Sequence, residues 1–370
     1  MFMNIPINAH ARFFLSRSLF MEDDFWNYFR VLPVFAAVIL VLIRLQASRL
    51  SMGSERRNAY EPGLLFHPKP SINWRHRKDI SYEHGLLNIE AQTVWWQSFR
   101  PRDAETKTVI VMYHGYGDHS DYILHEVAHD LAVKSGKRVL IFDQPGFGRS
   151  DGLWAYIPDW FAHVNMCAQA TRRIVRQLCG KSRVSLIGYG HSMGGGLLIT
   201  CAIQHPRMFD GLILSAPMCG ISANLRKHYL IEKFLFFLAD IFPTAPITPV
   251  PDLGALCFED PKFYDYTKQT NHLGYRGKPR LGTAKSMLLA QEWLSANGHR
   301  LSTPFLILHG TKDMITSLDS SVDLYRTATS SDKTIEILDG YFHSILGPGQ
   351  SVKKSQRAFS IVVDWINSRF

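Results

Sequence analysis

Ser192 stands between two glycines in the run Gly190-His191-Ser192-Met193-Gly194, with Gly195 and Gly196 behind them. An apolar strand pattern precedes the run at 184–187 and a helical pattern follows it. A serine that attacks a carbonyl must project from a sharp strand-to-helix turn, and such a turn crowds its neighbours. Glycine at the flanking positions relieves the crowding, which is the logic of the G-x-S-x-G nucleophile elbow. The plain alternative is a chance glycine-rich turn. The strand–turn–helix context weighs against it.

A serine hydroxyl is a weak nucleophile until a histidine takes its proton, and the histidine needs a carboxylate to hold its tautomer. After a serine elbow the acid and then the histidine follow later in the chain, each beyond a strand. Residues 303–313 read TPFLILHGTKD, a strand running into a turn that ends at Asp313. Residues 334–338 read as the next strand, and DGYFH (339–343) then brings His343. Asp319 and Asp323 compete for the acid's place but fall inside the next helical pattern, and Asp339 sits in the turn before His343. The chain has 16 histidines. His309 lies within an apolar strand and reads as a core residue. His191 is expected to point away from the nucleophile, because side chains at consecutive turn positions diverge. His119, His125, His129 and His205 flank the wrong elements for a base. The order leaves His343.

Acyl transfer also needs donors for a tetrahedral oxyanion. The backbone N–H of Met193, directly after the nucleophile, is one candidate. The second is the N–H of Tyr116 in YHGYG (113–117), where Gly115 and Gly117 let the backbone approach. A glycine turn with no part in catalysis is the bland reading of that loop.

These residues need a scaffold. Strand patterns fall at 89–99, 108–113, 138–142, 184–189, 212–216, 305–309 and 334–338. Helical patterns fall between them at 122–135, 160–178, 194–204, 318–329 and 356–368. The central strands are continuous apolar runs, as parallel strands covered on both faces require. Their alternation with helices predicts an α/β fold, a doubly wound and mostly parallel sheet. The alternation breaks between 218 and 301, where Pro243, Pro246, Pro249 and Pro251 precede a polar stretch at 264–280. A helix is expected at 229–242, with Leu230, Phe234, Phe237, Leu238 and Ile241 recurring at helical spacing. An insertion here reads as a helical cap over the carboxyl ends of the strands, where ligands bind in such sheets. The expected organisation is an extension at 1–75, a core at 76–218 and 301–370, and the cap at 219–300.

The chain resembles the monoacylglycerol lipase and lysophospholipase-like α/β hydrolases, nearest the plant-type, caffeoylshikimate esterase-like group. The stretches that carry the likeness are YHGYGDHSDY (113–122), FDQPGFGRSDG (142–152), GHSMGG (190–195), SAPMCGIS (215–222), YRGKPRLGTA (275–284), PFLILHGTKDMIT (304–316), LYRTATSSDKT (324–334) and GYFHSIL (340–346). The likeness covers 80 to the C-terminus. It implies the α/β-hydrolase fold, a Ser192–Asp313–His343 triad, oxyanion donors at Tyr116 and Met193, and a cap that admits an acyl chain. A serine at the elbow, in place of aspartate, argues against the epoxide hydrolases and dehalogenases of the same fold.

Composition sets outer limits. Hydrophobic residues at 46% and charged residues at 20% suit a globular domain. The net charge of +9 suits an anionic surface, and without long basic runs it favours a membrane over nucleic acid. Five cysteines in scattered positions make neither a disulfide framework nor a zinc site, and Cys219 reads as a small buried thiol. The spaced glycines of 145–152 lack a dinucleotide fingerprint, so no cofactor and no metal are expected. Residues 31–43 read VLPVFAAVILVLI, ~20 Å as a helix against a hydrocarbon core of ~30 Å. Phe25, Trp26, Tyr28 and Phe29 extend the run toward a possible membrane segment at 25–45. A targeting peptide and a helix packed on the domain are its rivals. Arg44, Arg49, Arg56 and Arg57 follow it and place the catalytic domain in the cytoplasm by the positive-inside tendency. The expectation is a membrane-associated serine hydrolase of monoacylglycerol or lysophospholipid esters. An esterase of soluble hydroxycinnamoyl esters, a peptidase of the same fold, and a non-catalytic receptor or scaffold are the alternatives.

Overall fold

Six parallel strands and one hairpin build the sheet in the computed structural model, which describes residues 79–102, 107–225 and 227–370. The apolar segment 31–43, and with it the extension 1–75, lies outside the described residues. Strands β1 (Ile80–Ile89) and β2 (Gln92–Pro101) form the hairpin around Glu90-Ala91. Then follow β3 (Thr108–Tyr113), α1 (Ile123–Ser135), β4 (Arg138–Phe142), α2 (Trp160–Cys179), β5 (Ser185–His191), α3 (Met193–Gln204) and β6 (Gly211–Ser215). Helices α4 (Tyr229–Ile241), α5 (Pro261–Thr270) and α6 (Leu281–Asn297) separate β6 from β7 (Phe305–Gly310). The chain ends with α7 (Leu318–Thr327), β8 (Lys333–Leu338) and α8 (Val352–Asn367).

The strand order is β1-β2-β4-β3-β5-β6-β7-β8, and β2 alone among them runs against its neighbours. Period-two geometry sends alternate side chains of one strand to opposite faces. In β3, Val109, Val111 and Tyr113 join the core under α2 and α3, whereas Ile110 and Met112 join the core under α1 and α8. Both faces are therefore apolar, and the strands read as unbroken hydrophobic runs. Helix α2 covers the sheet with one stripe, Val164, Cys167, Ala168 and Ile174, and opens on Asp159 accepting from the Ala162 N–H, whereas α3 is buried from Met193 to Ile203.

After β4 the chain returns to the other side of β3 to lay down β5. That reversal leaves a crevice at the carboxyl ends of β3 and β5, the place where doubly wound sheets bind ligands. This is the α/β-hydrolase fold.

One expectation needs correction. The strand expected at 89–99 runs from Gln92 to Pro101, and a further strand, β1, precedes it unannounced, because the tight turn between them at Glu90 (φ 52°) carries no glycine, proline or asparagine to mark it. The stretch between β6 and β7 holds α5 and the seventeen-residue α6 beside the expected α4. On α4, Leu230, Phe234, Phe237 and Ile241 are half or more exposed, while Leu238 is partly buried and Ala239 buried. No helix among the described residues is long and apolar enough to cross a membrane.

Candidate active site

Ser192 occupies the junction of β5 and α3 with φ 55° and ψ −119°, a region that side-chain-bearing residues seldom adopt. Such backbone costs about 1–3 kcal/mol and persists only where the surroundings over-determine it. Here the Ser192 N–H donates to the Ser215 carbonyl (2.9 Å), and its own carbonyl accepts from the N–H groups of Gly195 (2.9 Å) and Met218 (2.9 Å). A Cβ at 190 would lie 2.6 Å from the Gly194 oxygen, and one at 194 only 2.1 Å from the Tyr113 oxygen. The two flanking glycines are steric requirements of the turn.

β7 delivers Asp313. Its Oδ1 accepts from the N–H groups of Ile315 (2.8 Å) and Thr316 (3.0 Å), and its Oδ2 accepts from the Thr316 hydroxyl (2.8 Å). The loop after β8 delivers His343, whose Nδ1 lies 2.7 Å from Asp313 Oδ2. The carboxylate is fully enclosed. Burial by itself would raise its pKa, but the adjoining His343, its hydrogen bond to the carboxylate and the nearby His309 outweigh it and hold the group well below the carboxylate range. Asp313 therefore stays ionised and fixes one ring nitrogen of His343, leaving the other toward the cavity that Ser192 and His343 both line.

Met193 is the first residue of α3, so its N–H has no acceptor within the helix and lies at the positive end of the helix dipole. The loop after β3 lies against the elbow: a Cβ on Gly115 would stand 3.3 Å from the Ser192 Cβ. The Tyr116 hydroxyl donates to the Ala155 carbonyl (3.3 Å), a contact on residue 155 of the loop that follows β4. The sequence-selected residues Ser192, Asp313, His343, Tyr116 and Met193 thus meet at one end of the sheet.

Three features escaped the sequence reading. His191 lines the same cavity, and its ring sits 4.8 Å from that of His343. Burial, with His343 adjoining, pushes its pKa down to about 3, so it is neutral beside the base. His309 is buried as expected, but its Nε2 also lies 3.4 Å from Asp313 Oδ2 while its Nδ1 meets the Ser321 hydroxyl (2.9 Å). Finally, the loop at 114–122 rests on a buried polar frame. Arg149, 1% exposed, holds Asp121 Oδ2 with both Nε and Nη2 at 3.0 Å. Asp143 accepts from the N–H groups of Ser120 (2.6 Å) and Arg149 (2.7 Å). Gly148 serves this frame, since a Cβ there would lie 2.2 Å from Asp143 Oδ2.

The cavity measures about 370 Å³. Ile123, Leu124, Leu253, Phe258 and Leu346 give it an apolar side, and Arg276 and Lys278 stand among its polar lining. Among the described residues, no cluster of three or more His, Cys, Asp or Glu is arranged to hold a metal ion.

The family model described as Hydrolase_4, serine aminopeptidase S33, matches residues 104–348. Caffeoylshikimate esterase of Arabidopsis thaliana is 29% identical over 277 residues, covering 74% of this chain and 81% of that protein. Human monoglyceride lipase is 25% identical, covering 82% of this chain and 96% of that protein. Among solved structures, a soluble variant of monoglyceride lipase from Saccharomyces cerevisiae in complex with a substrate analog superposes with a TM-score of 0.65 at 20% identity, over 78% of this chain and 97% of that one. The monoacylglycerol lipase of Paleococcus ferrophilus gives 0.62 at 22% identity, over 75% and 99%. These structures share the fold. With the family model spanning more than half of the sequence, the chain belongs to the Hydrolase_4 family of α/β hydrolases and is an ester hydrolase, similar both to monoglyceride lipases and to a caffeoylshikimate esterase.

Proposed function

We propose that Ser192 is the nucleophile, His343 the general base and Asp313 the residue that orients it, with the N–H groups of Met193 and Tyr116 receiving the oxyanion. The observation that carries the reading is the buried 2.7 Å contact of Asp313 with His343, opening on the same cavity as the strained Ser192. His343 takes the Ser192 proton as the hydroxyl oxygen bonds to the acyl carbonyl carbon. The tetrahedral oxyanion collapses, the ester C–O bond breaks, and the alcohol leaves with the proton from His343. Water, deprotonated by the same nitrogen, then releases the acid and restores the serine.

The substrate we assign is a monoacylglycerol or a lysophospholipid. An apolar side for an acyl chain beside a polar lining with Arg276 and Lys278 supports it, as do relatives named monoglyceride lipases. The segment 219–300 acts as a cap over the site, and its α4 face of Leu230, Phe234, Phe237 and Ile241 meets the lipid surface that holds such substrates. The basic excess of the chain adds attraction to anionic lipid, weakened by salt. The extension with 25–45 adds a membrane anchor, which leaves the catalytic domain in the cytoplasm.

A second reading, hydrolysis of hydroxycinnamoyl esters, has one observation in its favour, the 29% identity to a caffeoylshikimate esterase. A panel of monoacylglycerols, lysophospholipids and hydroxycinnamoyl esters decides between them by kcat/KM. A preference for the aromatic esters of tenfold or more overturns the lipid assignment.

A further inference from the structure

The loop that carries Tyr116 is bound to the segment 266–275 at four successive points. The Tyr275 N–H donates to the Gly117 carbonyl (2.8 Å), and Gly117 holds φ +79° at a place where a Cβ would lie 2.9 Å from the Tyr275 oxygen. His119 Nε2 lies 2.6 Å from Asn271 Oδ1. The Tyr122 hydroxyl meets the Thr270 hydroxyl, and Leu273, 1% exposed, packs on the Tyr122 ring.

The His119–Asn271 contact has a defined polarity. The Asp121 N–H donates to His119 Nδ1 (3.2 Å), so the proton of the neutral ring sits on Nε2 and is donated to Asn271 Oδ1. That same oxygen accepts the Gly274 N–H (3.0 Å). Both side chains are nearly dry, His119 fully buried and Asn271 6% exposed. Their partners are thus confined to each other and to the two backbones they join. One backbone bears the oxyanion donor of the reading above, on which this inference rests. The other belongs to the segment whose Asn271, Tyr275 and Arg276 line the cavity.

We propose that His119 and Asn271 form a latch through which the cap sets the position of the Tyr116 N–H, making both of them positioning residues for the acyl-transfer step. The cap then does more than shape the cavity. A substrate that seats the cap also seats the oxyanion donor, and a cap that lifts takes the donor out of register.

The test uses the full chain and a short soluble ester, p-nitrophenyl butyrate, with active sites counted by titration with a fluorophosphonate so that unfolded molecules drop out of kcat. His119→Leu and Asn271→Leu remove the donor and the acceptor. His119→Gln keeps a donor near the Nε2 position, and Asn271→Asp keeps the acceptor. The expected result is kcat per titrated site about 10- to 100-fold lower in both leucine variants, as for a misplaced donor, with KM within about twofold. The double leucine variant should be no worse than either single one, and the Gln and Asp variants should stay within about threefold of wild type. A merely structural role would lower the titratable fraction and leave kcat per site unchanged. Unchanged kcat per site in the leucine variants overturns the latch while leaving the serine assignment standing. A wild-type protein that the fluorophosphonate does not label at Ser192 overturns both.

Discussion

Replacing Asp313 by Asn keeps the shape of the side chain and reverses one of its hydrogen-bonding groups. In the native site Oδ1 accepts two backbone N–H groups, from Ile315 and Thr316. These donors cannot turn away, so the amide oxygen of an asparagine must stay on their side. Its NH2 then occupies the place of Oδ2, 2.7 Å from His343 Nδ1, and two donors cannot face each other. The imidazole must switch tautomer, accept at Nδ1 and carry its proton on the nitrogen that should receive the one from Ser192. The base is silenced although nothing has moved. A tautomer error of this kind costs about ten-thousandfold in kcat, or about 5.5 kcal/mol of barrier. The assay is steady-state hydrolysis of p-nitrophenyl butyrate, with Asp319→Asn as the control. Asp319 is exposed in the first turn of α7 and should lose less than twofold. A loss below tenfold at 313, or equal losses at the two positions, would refute the reasoning.

Other perturbations separate the remaining roles. Tyr116→Phe should be nearly silent, since the Tyr116 hydroxyl is spent on the Ala155 carbonyl; Tyr116→Pro removes the N–H and should cost about 100-fold in kcat. Phe234→Ser with Phe237→Ser on the exposed α4 face should slow hydrolysis of vesicle-borne monoacylglycerol severalfold and leave the soluble ester unchanged, and equal effects on both would refute the docking role. Glu126 has its pKa raised to about 7 by burial, with Asp130 adding to it. A carboxyl raised in the folded state supports stability below its unfolded value and loses that support as pH climbs through the folded one. Glu126→Gln should therefore be neutral near pH 4.5 and stabilising above pH 7. The gain is about 1–2 kcal/mol, discounted because the group is partly exposed, and urea unfolding at pH 5 and pH 8.5 reads it.

The legible part of the molecule is the part encoded locally. The glycines at 190 and 194, the apolar strand before them and the helix after them are contiguous, so the elbow can be read from one short stretch. Asp313 follows because it lies just beyond an unbroken apolar strand, and His343 because it comes next in order, in the loop after the strand that follows. The hairpin at Glu90 was not legible: β1 alternates exposed and half-buried residues at the sheet edge, and its turn is made without the usual turn residues. The Arg149–Asp121 pair and the His119–Asn271 contact join residues 28 and 152 positions apart. No local pattern announces such pairs, since each side chain is polar for a partner that only the fold supplies. His191 illustrates the limit at close range. Its place beside Ser192 was plain, but the His343 ring it packs on arrives from the far end of the chain.

The central claim is that Ser192 is the nucleophile of an Asp313–His343 relay. The most direct measurement is the site and stoichiometry of covalent labelling by a fluorophosphonate, read by mass spectrometry of the intact chain and its peptides. The claim predicts one label per chain, on Ser192, abolished in Ser192→Ala and slowed by orders of magnitude in His343→Ala. Ester turnover should fall equally in both variants and no further in the double variant. Label on any other residue, or a Ser192→Ala protein that keeps more than a few per cent of its activity, would contradict it.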